Sequence, residues 1–415
     1  MSMKHPHIHL TDIQGYSQLV IDATLGVTDI VEAMHHTILG LPMPLGKVRT
    51  KPATGAYGMV YKGLQGSSAL VYRLVRRMTT VVGNGLDNAV EYFHPERDPA
   101  ESSRERTAIV SILNGVLGDH MQAHDNPLAL SMTFRLEGRA LEITRAALTN
   151  AVAQPSAKIL VMLHGHCMNE LQWCRNGHDH GAVLAATNGC SPLYLRYNTG
   201  LHISENGRAL ADQLEQLLVE WPTPIQEIFV VGYSMGGMVA RSAFHYGKMA
   251  QHAWVKRVHK LFFVGTPQHG SMVEQAGNLI DKALEISPYS HALSRLGKIR
   301  SAGTTDLRHG NLIDEDWKGH DRFAHAHDRR QLSQLPANVK CYAIAAMIAK
   351  EPSEMWGQLV GDGLVPLKSA LGKHRDENRA LHLPAEHQRV YYGMTHLGLL
   401  DSQAVCQQLQ AWIDE

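Results

Sequence analysis

The stretch from Ile228 to Gly237 constrains the chain more than any other. Four apolar residues, Ile228, Phe229, Val230 and Val231, run into Gly232-Tyr233-Ser234-Met235-Gly236-Gly237, and a helical pattern follows at once. An unbroken apolar run of this kind reads as a strand buried on both faces of a parallel sheet. Gly232 and Gly236, two positions either side of Ser234, remove the Cβ atoms that collide where a strand turns sharply into a helix. Gly237 and Ala240 let that helix lie close to the sheet. A serine hydroxyl is a poor nucleophile at neutral pH, so a chain that uses one holds it exposed beside a base. Gly-x-Ser-x-Gly alone recurs by chance; the strand before it and the helix after it give it meaning.

The surrounding sequence supplies the rest of such a sheet. Lys158 to Leu163 is a buried strand running into His164-Gly165-His166-Cys167, and Pro192 to Tyr197 is a second. A helix follows with Leu210, Leu214, Leu217 and Trp221 on one face. After the serine turn come a strand at Leu261 to Val264, then Val339 to Ala346, Arg389 to Tyr392, and a closing helix through Leu399, Val405, Leu409 and Trp412. Strands alternating with helices predict an α/β architecture, a mostly parallel central sheet with helices on both faces. Upstream, Leu130, Met132, Phe134 and Leu136 alternate with polar or small residues and Glu137-Gly138 turns the chain, which predicts an antiparallel hairpin.

Two regions stand outside the alternation. Residues 1–127 show helical stripes at 11–39 and around 70–78, and a third helix beginning near Ser102 with Glu105 as its capping box, so they read as an N-terminal helical appendage. Residues 268–335, rich in His, Asp, Arg and Gly, interrupt the sheet domain of 128–415 and read as a cap insertion. No catalytic motif lies in the appendage; packing on the main domain, or homo-oligomer formation through its helices, is the role expected of it.

Acyl transfer needs a nucleophile, a base, a group orienting the base, and donors for the oxyanion. Ser234 is the nucleophile; His396, just past the last strand, is the base; Asp362, in Val-Gly-Asp-Gly-Leu-Val-Pro, is the acid. Asp362 also fits an Asp-Gly turn, and Asp306 and Asp401 are rivals for its role, Asp401 being placed too far into the last helix. The order serine, aspartate, histidine differs from the orders of the two other well-known serine protease types. One oxyanion donor is the backbone N–H of Met235 at a helix N-terminus; the second is the N–H of His166, with Cys167 one residue on as the alternative. His164 supports that loop.

These residues together resemble an α/β-hydrolase of the lipase/esterase type. The resemblance rests on His164-Gly165, Gly232 to Gly237, Gly265-Thr266-Pro267-Gln268-His269-Gly270, Asp362 to Pro366 and His396, over roughly Leu128 to Glu415. The Gly-Thr-Pro-x-x-Gly stretch is similar to that of triacylglycerol lipases and of esterases resembling the GPI-inositol deacylase. The resemblance implies hydrolysis of a carboxylic ester, small or lipid, through an acyl-enzyme and without an organic cofactor. An amidase, thioesterase or acyltransferase shares the same triad, and a non-catalytic scaffold shares the fold.

Composition bounds the partners. Lys plus Arg and Asp plus Glu both number 39, so no general attraction to nucleic acid or an anionic membrane is expected. Five scattered cysteines, an odd number, argue against a disulfide framework, and no apolar run is long enough to span a membrane, which together predict a cytoplasmic protein. Asn176 to His180 and Gly319 to Asp328 mix His and Asp, but without metal-ligand spacing they read as polar loops, and no metal is expected.

Overall fold

The computed structural model describes residues 15, 18–19, 104–270, 301–320, 330–331, 334–351 and 360–415. The chain divides into two compact units, Met1–Pro99 with Asn126–Leu128, and Ala100–Asp125 with Ala129–Glu415. The helical stripes predicted at 11–39 and near 70–78, apart from helical residues 15, 18 and 19, lie outside the described residues, as does the Ser102 cap. The second unit carries the sheet.

In chain order its elements are α1 (Arg104–Ala123), β1 (Thr133–Leu136), β2 (Arg139–Ala140), α2 (Arg145–Ala151), β3 (Lys158–Leu163), β4 (Cys174–Arg175), β5 (His178–Asp179), α3 (His180–Asn188), β6 (Ser191–Arg196) and α4 (Ile203–Glu220). There follow β7 (Glu227–Tyr233), α5 (Met235–Met249), β8 (Val258–Val264), α6 (Ala302–His309), α7 (Asp314–Trp317), β9 (Lys340–Met347), α8 (Leu367–Ala370), β10 (Gln388–Tyr392) and α9 (Gln403–Asp414). Eight strands form one sheet in the order β10-β9-β8-β7-β3-β6-β1-β2. From β10 to β6 every neighbouring pair is parallel, and β1 runs antiparallel to both β6 and β2.

The strands alternate between two cores, which is why they read as unbroken apolar runs. Ile159, Val161 and Leu163 of β3, with Val230 of β7 and Phe263 of β8, pack on one side with Leu210, Leu214 and Phe244 of α4 and α5. Leu160 and Met162, with Val231 and Phe262, pack on the other with Leu184 of α3 and Leu409 and Trp412 of α9. A period of two with both faces covered leaves no polar face to mark the pleat.

By its packing α1 belongs with the sheet, in the unit of Ala100–Asp125 and Ala129–Glu415. Two glycines let α1 close on the loops at the sheet's carboxyl edge. A Cβ on Gly115 would stand 2.2 Å from Cys167 Sγ, and one on Gly118 would stand 1.9 Å from Asn198 Oδ1. Asn198 Nδ2 donates to the Gly118 carbonyl at 3.0 Å, and Asn169 Nδ2 donates to Ser111 Oγ at 3.2 Å.

The described part of the predicted cap is built into the domain. Ala302, Thr305 and Asp306 of α6 are buried. Asp306 Oδ2 accepts from Ile203 N–H and pairs with His202 Nδ1, both at 2.9 Å, while Oδ1 accepts from Asn311 Nδ2 at 2.9 Å. Ser301 Oγ donates to the Gly115 carbonyl at 2.6 Å, tying α6 to α1. Among the described residues no helix is long and apolar enough to cross a membrane.

Candidate functional site

Ser234 stands between β7 and α5 with φ +52° and ψ −122°, a conformation side chains other than glycine avoid. Three glycines make the turn sterically possible. A Cβ on Gly232 would lie 2.4 Å from Gly237 Cα, one on Gly236 would lie 2.4 Å from the Leu163 carbonyl oxygen, and one on Gly237 would lie 2.1 Å from Thr266 Oγ1. Ser234 donates its N–H to the Val264 carbonyl at 2.9 Å and accepts from Gly237 N–H at 3.2 Å. Its residue is half-buried while Tyr233 and Met235 are fully buried, so the turn presents this one side chain outward.

The expected acid and base, Asp362 and His396, lie together in the structure. His396 Nδ1 meets Asp362 Oδ2 at 2.6 Å, with side-chain exposures of 6% and 0%. The other carboxylate oxygen, Oδ1, accepts from Leu364 N–H at 3.0 Å and Val365 N–H at 2.8 Å, and His396 N–H donates to the Asp362 carbonyl at 3.0 Å. Gly363 takes φ +96°, which the Asp-Gly pair of the sequence allows. Asp362 is thus a turn residue and the partner of His396 at once.

Strand register brings this pair beside the serine. Tyr233 pairs with Val264, so Ser234 and Gly265 follow on adjacent parallel strands. A Cβ on Gly265 would come within 3.0 Å of His396 Cε1 and 3.1 Å of its Nδ1, so the glycine leaves room for the imidazole. Tyr233 locks the far side: its hydroxyl donates to the His396 carbonyl at 3.1 Å and its ring lies 4.9 Å from the imidazole. Burial holds that phenol well above its usual pKa, in the form that donates. Gly265, Thr266 and Tyr233 were visible in the sequence as motif residues, but their support of His396 and of the turn depends on long-range packing.

The rival acids are engaged elsewhere. Asp306 is held by His202, Ile203 and Asn311. Asp401 lies in the turn before α9 rather than within the helix, and its Oδ2 takes Arg175 Nε at 3.3 Å and Asn176 Nδ2 at 2.5 Å.

The loop after β3 closes the site from a third direction. A Cβ on Gly165 would stand 3.1 Å from Ser234 Cβ, so the loop approaches the serine as near as backbone allows. His164 stacks on Tyr197 at 4.4 Å, accepts the Tyr197 hydroxyl at its carbonyl at 2.8 Å, and donates Nδ1–H to the Gly165 carbonyl at 2.8 Å. Burial pushes its imidazole pKa down to about 3, so it is neutral and supports the loop. His166 Nε2 meets Thr304 Oγ1 of α6 at 3.1 Å, and among the described residues no group accepts from its N–H. The Cys167 N–H, the alternative donor, is already given to Thr199 Oγ1 at 3.1 Å. Met235 is the first residue of α5, where a backbone N–H has no partner within the helix.

Sheet order, serine turn and acid–base pair together have the arrangement of an α/β-hydrolase fold. Within it, residues 156–340 match the PGAP1-like alpha/beta domain family. Among solved structures the chain is similar to the mature Bacillus licheniformis lipase BlEst2, at 18% identity over 63% of this chain and 94% of that one, with a TM-score of 0.39. It is also similar to the Staphylococcus hyicus lipase, at 14% identity over 63% and 94% of the two chains with a TM-score of 0.35. A lipase-esterase related protein of Clostridium acetobutylicum has 14% identity over 62% and 94% of the chains and a TM-score of 0.34. No curated protein sequence matches the chain.

Proposed function

We propose that the protein is a serine hydrolase that cleaves carboxylic esters, small or lipid, through an acyl-enzyme on Ser234. The buried Asp362–His396 pair at 2.6 Å, set against Gly265 on the strand next to that of a serine held at φ +52°, is the observation that carries this reading. In the attack His396 takes the Ser234 proton at the imidazole nitrogen not bound to Asp362, and later gives one to the leaving alcohol. Asp362, fixed by two backbone N–H groups on its other oxygen, holds the ring in the tautomer that accepts and stabilises the imidazolium that forms. Water then repeats the cycle on the acyl group.

The N–H groups of Met235 and His166 serve as the oxyanion donors in this reading, and the Cys167 N–H, already spent on Thr199, does not. Short and long p-nitrophenyl esters offered to wild type and Ser234→Ala test the proposal. Turnover by the wild type that is lost in the variant is the expected result; equal turnover by both overturns the nucleophile. Labelling by a fluorophosphonate without ester turnover moves the reaction to amides, thioesters or acyl transfer on the same serine.

A further inference from the structure

The hairpin of β4 and β5 carries His178-Asp179-His180, read from sequence as a polar loop, and the fold brings Cys406 of α9 to it from the far end of the chain. One ring nitrogen each of His178 and His180, and Cys406 Sγ, all lie within 4.8 Å of one another. The two histidine nitrogens are 2.7 Å apart. His180 Nε2 donates to the Leu399 carbonyl at 2.8 Å, which fixes the tautomer and aims the Nδ1 lone pair at the cluster. A ligating histidine is oriented in this way by its second nitrogen. His180 and Cys406 are buried, whereas His178 is only half-buried and opens the cluster to solvent. Asp179 and Asp401 add negative potential at His180.

We propose that His178 Nε2, His180 Nδ1 and Cys406 Sγ form a binding site for a borderline-soft divalent cation, Zn²⁺, with a water as fourth ligand on the His178 side. Two imidazoles and a thiolate are the donors such an ion selects over a hard one. Zn–N bonds of about 2.1 Å and a Zn–S bond of about 2.3 Å set donors roughly 3.4–3.6 Å apart, so the two nitrogens separate by roughly 0.7 Å, within reach of a small rotation of half-exposed His178. On binding, the Cys406 thiol releases its proton to solvent as the S–Zn bond forms. The proton between the histidines moves to His178 Nδ1, freeing Nε2. The ion then clamps the hairpin to α9 and, through Leu399, to the turn Leu397–Leu400 that directly follows His396.

The test is on the full chain stripped of metal by a chelator. Titration with Co²⁺ is expected to give one equivalent with a thiolate-to-cobalt charge-transfer band, which the abundant surface histidines cannot produce. Cys406→Ser is expected to lose the band, and Cys174→Ser, which removes the exposed thiol across the hairpin, to keep it. His178→Ala removes a half-exposed ligand without opening a core cavity and is expected to weaken Zn²⁺ by about 100-fold, measured by competition with a chromophoric chelator. Absence of the band from wild type, its survival in Cys406→Ser, or its loss in Cys174→Ser overturns the site. So does unchanged Zn²⁺ affinity in His178→Ala, which decides the matter even where Cys406→Ser fails to fold.

Discussion

Ser234 and Cys167 both take a positive φ in opposite surroundings. Their φ angles are +52° and +57°, and each closes a loop at the carboxyl edge of neighbouring parallel strands, β7 and β3. The serine is half-buried, beside an imidazole whose other nitrogen is held by a carboxylate. The thiol, intrinsically the better nucleophile, is 5% exposed and sits where Gly115 of α1 makes room for it. Burial pushes its pKa up to about 12, so it stays a thiol at neutral pH. A positive φ alone therefore does not mark a nucleophile. At Ser234 it turns one side chain out of the core; at Cys167 it folds a loop against a helix.

The largest effect that tests this contrast is on the chemistry. Ser234→Ala is expected to lower kcat for ester hydrolysis by about 10⁴–10⁶-fold. Cys167→Ala, whose backbone N–H is already bonded to Thr199, is expected to change kcat by less than about threefold, since truncating a side chain outside the transition state removes no stabilisation of it. Steady-state kinetics on one chromogenic ester measures both. A loss of kcat in Cys167→Ala comparable to that in Ser234→Ala breaks the contrast.

Next in size is Asp362→Asn. The amide keeps the shape, but either its NH₂ faces His396 Nδ1 or, flipped, it faces the Leu364 and Val365 N–H groups and both of those bonds are lost. A fall in kcat of about 10³–10⁴-fold is expected, with folding retained by circular dichroism. Asp306→Asn and Asp401→Asn, whose carboxylates serve other partners, are expected to lose stability rather than kcat on the folded fraction.

The second half of the contrast is a packing statement. Gly115→Ala places a Cβ 2.2 Å from Cys167 Sγ and 3.0 Å from its Cα, so the loop or α1 has to shift. A stability loss of about 2–3 kcal/mol is expected from urea unfolding. Cys167→Ala removes the sulfur and is expected to recover part of it in the double variant, the close approach to the residue 167 backbone remaining. Additive losses in that cycle mean that the two side chains do not share the strain.

Much of the molecule was legible before its fold was known, for reasons that differ by region. The strand at Lys158–Leu163 matches the apolar run residue for residue, because a strand covered on both faces has no polar position to blur its ends. Ser234, Asp362 and His396 stand out because each sits among glycines or at a strand end. The role of α1 was not legible. Its stripe predicts a helix, but nothing local says that Gly115 and Gly118 are there to admit Cys167 and Asn198 from 52 and 80 residues away. The buried Asp306 was hidden for the same reason, inside a polar-looking segment whose partners lie about 100 residues upstream. The bond from the Cys167 N–H to the Thr199 hydroxyl was hidden too, since no spacing rule places it.

The smallest expected effect concerns the imidazoles behind the reactive edge. If burial sets the character of the groups around Ser234, then His164, pushed down to about 3, and His180, pushed down to about 4, must stay neutral in the folded chain while their unfolded counterparts titrate near 6.5. Below pH 6.5 the unfolded state therefore binds more protons, so stability is full above that pH and falls as the pH drops toward 4. From pH 7 to 6 the two together are expected to cost about 1 kcal/mol, with a steeper fall below. Urea unfolding of wild type and His164→Gln, at pH 7.0, 6.0 and 5.0, separates the contributions. His166 and His269 are pushed down to about 4 as well, so the variant starts from lower stability and loses about a quarter less of it per pH unit. An unchanged slope in the variant means that His164 takes up its proton in the folded chain, and the loop carrying Cys167 is then wetter than its packing against α1 requires.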